Sequence, residues 1–427
     1  MKTIRNIFLP AILIFATFSC ADKYTEEFTA NKPVYMSYET LRSAVKYVAE
    51  RELRKPGKIY FKDDLIFINE QFEGVHIIDN EDPENPENIG FIEIPGNVDI
   101  AIKNNILYAD SYVDLVAIDI SDFNNPSEVS REEDVFPYTL PPYEEDYRLA
   151  EIDEEKGVVT GWEVTRVRQE MEYHYYPVYF FGFREDFAMM DGAPSNGSGG
   201  QSSTFGVGGS MARFGLYDDY LYAVDRANLH IFDIKTDATL NDIGTQNAGW
   251  NVETMFIFDD HMFLGTQSGM RVFSLAVPTM PTYLSDFWHV TSCDPVVVAD
   301  GYAYITLRGG NSCGSDVNRL DVLELSDDYT NNTLIASYPM TSPYGLGIDG
   351  DILFVCDGDA GLKVYDVASK TEIDDNQIAT FSGINTYDVI PVNGYLFMIG
   401  DDGFYLYDYS DLQNIRQIGF IPVIGED

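Results

Sequence analysis

Short apolar runs recur along most of the chain, set apart by pairs of turn-forming residues. Seven times such a pair precedes a strand that carries an aromatic three positions on: DDLIF to Phe67, NNILY to Tyr108, DDYLY to Tyr222, DDHMF to Phe263, DGYAY to Tyr304, GDILF to Phe354 and NGYLF to Phe397. Asp, Asn and Gly tolerate positive φ, so these pairs suit the tight turns of β-hairpins. A second apolar phrase follows each aromatic and ends at a polar residue: VHIID at Asp79, LVAID at Asp119, LHIFD at Asp233, MRVFS at Ser274, LDVLE at Glu324, LKVYD at Asp366 and FYLYD at Asp408. Successive polar ends are 40, 114, 41, 50, 42 and 42 residues apart, so the unit is 41 residues or close to it, with one small and one large insertion. Four short strands in such a period are the signature of a propeller blade, because one small sheet is unstable until neighbours cover both its faces. The expectation is an all-β chain: a seven-bladed β-propeller of four-stranded antiparallel blades. An eighth blade is the alternative if the large insert forms one. A β-sandwich does not predict seven evenly spaced copies of one hairpin.

The strands of each unit are named a to d, with b carrying the aromatic and c ending at the polar residue. The Asp side chains at 79 and 119 can accept N–H bonds in the turn after c, and Pro86 and Pro126 stop pairing before d begins, which makes this Asp set structural. LVAID and its copies resemble the LVIVD-repeat family, bacterial surface propellers of poorly known role. The resemblance covers residues 58–423 less the insert and implies architecture without chemistry. In an up-and-down blade the a–b and c–d turns share one face, and the b–c and d–a loops share the other. The extra residues of blade 5, Arg308 to Asn318, and the insert at about 132–210 both fall on the second face. Within the insert, Arg148 to Glu172 alternates around Lys156-Gly157 like a long hairpin. The run from Tyr173 to Phe183 is rich in aromatics and reads either as a sugar-stacking platform or as a buried strand, and a Gly/Ser-rich stretch from Asp191 to Ser210 follows it.

The first residues stand apart from the repeat. Lys2 and Arg5 precede an apolar run from Ile7 to Phe18, the layout of a secretory signal over 1–19 and short for a membrane span. Ser19-Cys20 resembles a bacterial lipobox, which implies cleavage before Cys20 and lipid on its thiol and amino terminus; an ordinary signal peptide is the other reading. Ala21 to Pro33 is polar and reads as a tether, within a lead-in over 20–57 that brings the chain to a propeller at 58–427. Without the signal, 25 basic side chains face 70 acidic ones, which disfavours nucleic acid as a partner. Of the remaining cysteines, Cys293 and Cys313 fall at the same end of blade 5. A bridge between them would stabilise by about 3 kcal/mol on the loop-entropy account. Cys356 reads as a buried small hydrophobe.

Catalytic and cofactor motifs are missing. The five histidines are scattered, with no paired metal-ligand spacing, and His76 and His230 occupy equivalent c-strand positions. DGDAG at Asp357 to Gly361 lacks the later ligands of an EF-hand loop. No metal and no cofactor are expected. The first residues of the inner a strands should rim the channel on the loop-bearing face. That makes Trp250 of blade 4, Trp288 and His289 of blade 5, Tyr344 of blade 6 and Tyr387 of blade 7 the best candidates for a ligand rim, with Arg308, Arg226 and Arg271 in nearby b–c loops. The reading that follows is a monomeric outer-membrane lipoprotein of the cell envelope. Its lipid anchors a propeller that binds or scaffolds an envelope protein or glycan. The alternative is a propeller enzyme, a glycan lyase or hydrolase, working in the central channel.

Overall fold

The computed structural model describes residues 24–171, 207–208, 210–236, 239–289, 295–309 and 317–425. Seven antiparallel sheets follow one another along the chain, each in the order a-b-c-d. Their a strands are Pro56–Lys62, Ile100–Lys103, Phe214–Tyr217, Val252–Phe258, Val296–Ala299, Leu346–Asp349 and Thr386–Val392. Each a strand lies against that of the next blade, and the seventh lies against the first, so the ring closes with the a strands innermost. The eighth-blade alternative is therefore excluded.

Local chemistry explains the repeat. At the a–b turns Asp63, Asn104, Asp218, Asp259, Asp300, Gly350 and Asn393 all adopt φ between 50° and 56°. That is the left-handed region which Asp, Asn and Gly tolerate best. The seven b-strand aromatics are all buried at 1% exposure or less and form the inter-blade core. The Oδ1 atoms of Asp79, Asp119, Asp233, Asp366 and Asp408 each accept the N–H two residues on, and the Ser274 hydroxyl does likewise. Charge here is spent on turns.

The lead-in also closes the ring. Lys46–Val48 adds a strand to the outer edge of blade 1, and Leu53 bridges in parallel to Val423 after the last strand of blade 7. The Ile424 N–H donates to the Leu53 carbonyl at 2.7 Å, fastening the seam.

Two expectations for the flanking segments need correction. The expected tether is a strand, Tyr24–Met36, paired antiparallel with Val158–Met171 along its whole length. Arg148–Leu149 and Val158–Met171 do not pair as a hairpin, because the N-terminal strand lies between them. Thirteen extended residues make an arm about 40 Å long. Its inner end rests on the loop-bearing face, where Met36, Leu41, Tyr112, Val113 and Val158 form a small core. Among the described residues no helix is long and apolar enough to cross a membrane.

Candidate functional site

The centre of the propeller is filled by its own chain. Val207 and Gly208 pair with Phe61 and Tyr60 of the innermost strand of blade 1. The following residues then bond to one blade after another. The Ser210 N–H donates to Asp388 of blade 7 at 3.3 Å, and its hydroxyl accepts from the Leu346 N–H of blade 6 at 2.8 Å. The Ala212 carbonyl accepts from Met255 of blade 4, and the Arg213 N–H donates to Asp99 beside blade 2 at 2.7 Å. Ser210, Met211 and Ala212 are buried. A segment held by the inner strands of four blades and by Asp99 beside a fifth occupies the centre of the ring.

Buried charge surrounds this segment. The Lys58 ammonium lies 2.6 Å from Asp99, and both side chains are buried. Burial pulls Lys58 down to about 7 against the raising influence of Asp99. Asp99 also accepts the N–H groups of Ile100, Arg213 and Phe214 at 2.7 to 2.9 Å. Asp388 is pushed up to about 8 by burial, against two N–H bonds and the charge of Lys58. Between about pH 4, the ordinary carboxylate value, and pH 8 the unfolded chain gives up this proton and the folded chain keeps it. Asp388 therefore makes stability fall as pH rises through that window. An Asp388→Asn variant should be less sensitive to pH from 5 to 8 than the parent in chemical denaturation. Equal slopes for the two proteins would refute the assignment.

A set of carboxylates that local sequence reasoning missed holds the d–a loops. Asp110 Oδ1 accepts the Val98 and Asp99 N–H groups, Asp357 Oδ1 those of Thr341 and Ser342, and Glu70 those of Arg54 and Lys55. The signal was available, since each acid stands two or three residues after the b-strand aromatic. Partners at one c-strand position bond two of these acids and Asp225, which stands three residues after Tyr222: His76 lies 3.1 Å from Glu70, His230 lies 3.0 Å from Asp225, and Lys363 pairs with Asp357. Burial alone would raise Asp225, but bonds from His230, Asn228 and the Ala227 N–H hold it at about 2. These groups build loops. Among the described residues no cluster of His, Cys, Asp and Glu could hold a metal ion. A cavity of about 30 Å³ between blades 1, 2 and 3, beside Phe72, Tyr112 and Phe136, has room for little more than water.

The expected ligand rim divides in two. Arg308 stacks on Tyr344 at 3.8 Å, and Tyr344 meets Tyr387 edge-on at 5.1 Å. Arg308 and Tyr387 are buried, so this trio packs blades 5, 6 and 7 together and does not form an open rim. Trp288 is also displaced from its expected place. It ends the outermost strand of blade 4, Thr282–Trp288, and does not begin the inner strand of blade 5. Trp250 precedes the inner strand of the same blade, so Trp250, Trp288 and His289 collect at the loop-bearing end of blade 4. Cys20, Cys293, Cys313 and the aromatic run 173–183 lie outside the described residues; Cys356 lies within them, buried and unbridged.

No protein-family model matches the chain, and no curated protein matches it. Solved structures do. The periplasmic gluconolactonase PpgL of Pseudomonas aeruginosa, a β-propeller, aligns with a TM-score of 0.52 at 8% identity, over 89% of this chain and 96% of that one. The computationally designed Ika8 protein aligns with a TM-score of 0.50 at 9% identity, over 89% of this chain and 92% of the other. At such identities the likeness establishes the fold alone.

Proposed function

We propose that this chain is an envelope lipoprotein, anchored through Cys20, whose propeller binds a protein or glycan on its loop-bearing face. The observation that carries the reading is the occupied axis. Residues 210–213 fill the place where a propeller enzyme would seat a substrate, which leaves the outer surface as the binding surface. That surface is one-sided: the arm and both exposed tryptophans share one face, while the other carries tight turns. The repeat's resemblance to the LVIVD family and the lipobox-like Ser19-Cys20 support an outer-membrane address. A lyase or hydrolase in the channel is the weaker reading, because substrate would have to displace a segment bonded to four blades and to Asp99 beside a fifth.

The test uses a photo-crosslinking residue introduced singly at Gln267 or at Asn104, which mark the two faces, in intact cells of the source organism. Adducts of increased mass should form from position 267 and be absent from position 104. The reverse pattern, or no adduct from either, overturns the reading.

A further inference from the structure

Trp250 is 83% exposed, the most exposed large apolar side chain among the described residues, and Trp288 is 64% exposed. Trp162, by contrast, is tied down, donating to the Pro141 carbonyl at 3.0 Å and meeting Tyr143 edge-on. Two exposed indoles on one blade are costly to leave in water and call for a partner.

Their spacing is fixed by the sheet. Val252 pairs with Thr266, Thr266 with Gly269, and Gly269 with Trp288. Trp288 thus stands three strand spacings, about 14 Å, from the inner strand that Trp250 introduces. The backbone beneath both rings is fastened. Gly249 and Asn251 on either side of Trp250 have φ of 118° and 52°, and the Asn251 carbonyl and side-chain amide both bond to Gln267, at 3.2 and 2.9 Å. The Arg271 guanidinium donates to the Ala248 carbonyl at 2.9 Å. Behind Trp288, the His289 N–H donates to the Ser268 carbonyl at 3.1 Å. The backbone beneath both indoles is therefore tied to one b–c turn, so binding has only the two side chains left to order.

The strip between the rings is polar and uncharged, formed by Asn251, Gln267 and Ser268. The ionic groups beside it occur as opposite pairs: Arg271 and Asp286 are joined by bonds of 2.7 and 3.2 Å, and Arg226, whose carbonyl accepts the Val252 N–H, interacts with Glu253. This matters on a chain with 70 acidic and 27 basic side chains. A cationic peptide would find stronger attraction almost anywhere else on the surface, and an anionic polymer would be repelled. An apolar partner would meet amides and a hydroxyl where it needs continuous apolar contact.

Resting on the proposal that the loop-bearing face is the binding surface, we infer that blade 4 binds a neutral oligosaccharide across Trp250 and Trp288. The indole faces stack on sugar rings, and Asn251, Gln267 and Ser268 bond their hydroxyls. The mature protein, held in polyoxyethylene detergent micelles that carry no sugar headgroup, is titrated calorimetrically. The probes are linear neutral hexasaccharides of glucose (α- and β-linked), mannose, xylose and N-acetylglucosamine, with hexagalacturonate and hexalysine as charged comparators. At least one neutral probe should bind, and Trp250→Ala and Trp288→Ala should each weaken it by about tenfold or more, the scale expected of interface anchors. Indole fluorescence should respond to that probe in a Trp162→Phe background. Binding confined to a charged probe, binding indifferent to both substitutions, or no binding at all overturns the inference. Adducts at Gln267 without saccharide binding would sink the oligosaccharide and leave the binding face standing. Loss of both would sink the two together.

Discussion

Replacing Asp99 with alanine should lower the stability of the propeller by about 3–5 kcal/mol, the range for removing one partner of a buried ion pair. Replacing Lys58 with methionine should cost much less. The asymmetry follows from what each change leaves behind. Without Asp99 the buried Lys58 ammonium loses the carboxylate 2.6 Å away, and the N–H groups of Ile100, Arg213 and Phe214 lose their acceptor. Without Lys58 the Asp99 carboxylate still accepts those three N–H bonds, which stabilise its charge. Methionine also fills most of the space of the lysine stem. Chemical denaturation of both variants at pH 7 decides the matter. Equal losses would mean that the ion pair itself, and not the N–H cradle, dominates this site.

The sequence disclosed the parts of the fold that are built locally. A positive φ at Asn104 or Asn393 needs only a residue that tolerates it, and an Asx turn at Asp119 needs only the next two residues. The face on which each loop falls then follows from strand order, and the structure keeps that arrangement. Long-range pairing gave no such signal. Tyr24–Met36 finds its partner more than 120 residues away, and a ribbon mostly exposed or half-buried, with few buried residues such as Ala30 and Val159, carries little apolar alternation to mark it. Ser210-Met211-Ala212 looks like the end of a Gly/Ser-rich linker, and only the closed ring turns it into a core. The rim shows the same limit. Tyr344 and Tyr387 were placed at the right end of their blades, but whether an aromatic there turns outward or meets Arg308 depends on the neighbouring blade. Sequence alone puts Trp288 at the start of blade 5, whereas it ends the outer strand of blade 4 and the inner strand of blade 5 begins only at Val296.

The axial segment yields the other large effect. Substituting residues 207–212 by a Gly/Ser linker of equal length, which changes Val207, Met211 and Ala212, should destabilise the protein by about 3–5 kcal/mol. Gly208, Gly209 and Ser210 already suit such a linker, and the main-chain groups that bond Asp388, Met255 and blade 1 persist in it, so part of the loss is the cost of ordering the added glycines, about 0.5–1 kcal/mol each. Burial of Met211, which is fully enclosed, contributes a further 1.5–3 kcal/mol or so. Crowding at the hub points the same way, since a methyl group on Gly345 would lie 2.4 Å from Asp388 Oδ1 and 3.0 Å from Met211 Sδ. Water admitted to the axis should also release Asp388 from the burial that raises it, so the pH sensitivity between 5 and 8 should fade together with the stability. If the linker chain does not fold, Met211→Ala alone should still cost about 2–5 kcal/mol, the usual range for truncating a buried methionine. An unchanged denaturation midpoint in either variant would show that the ring stands without its axle, and the channel would again be open to a substrate.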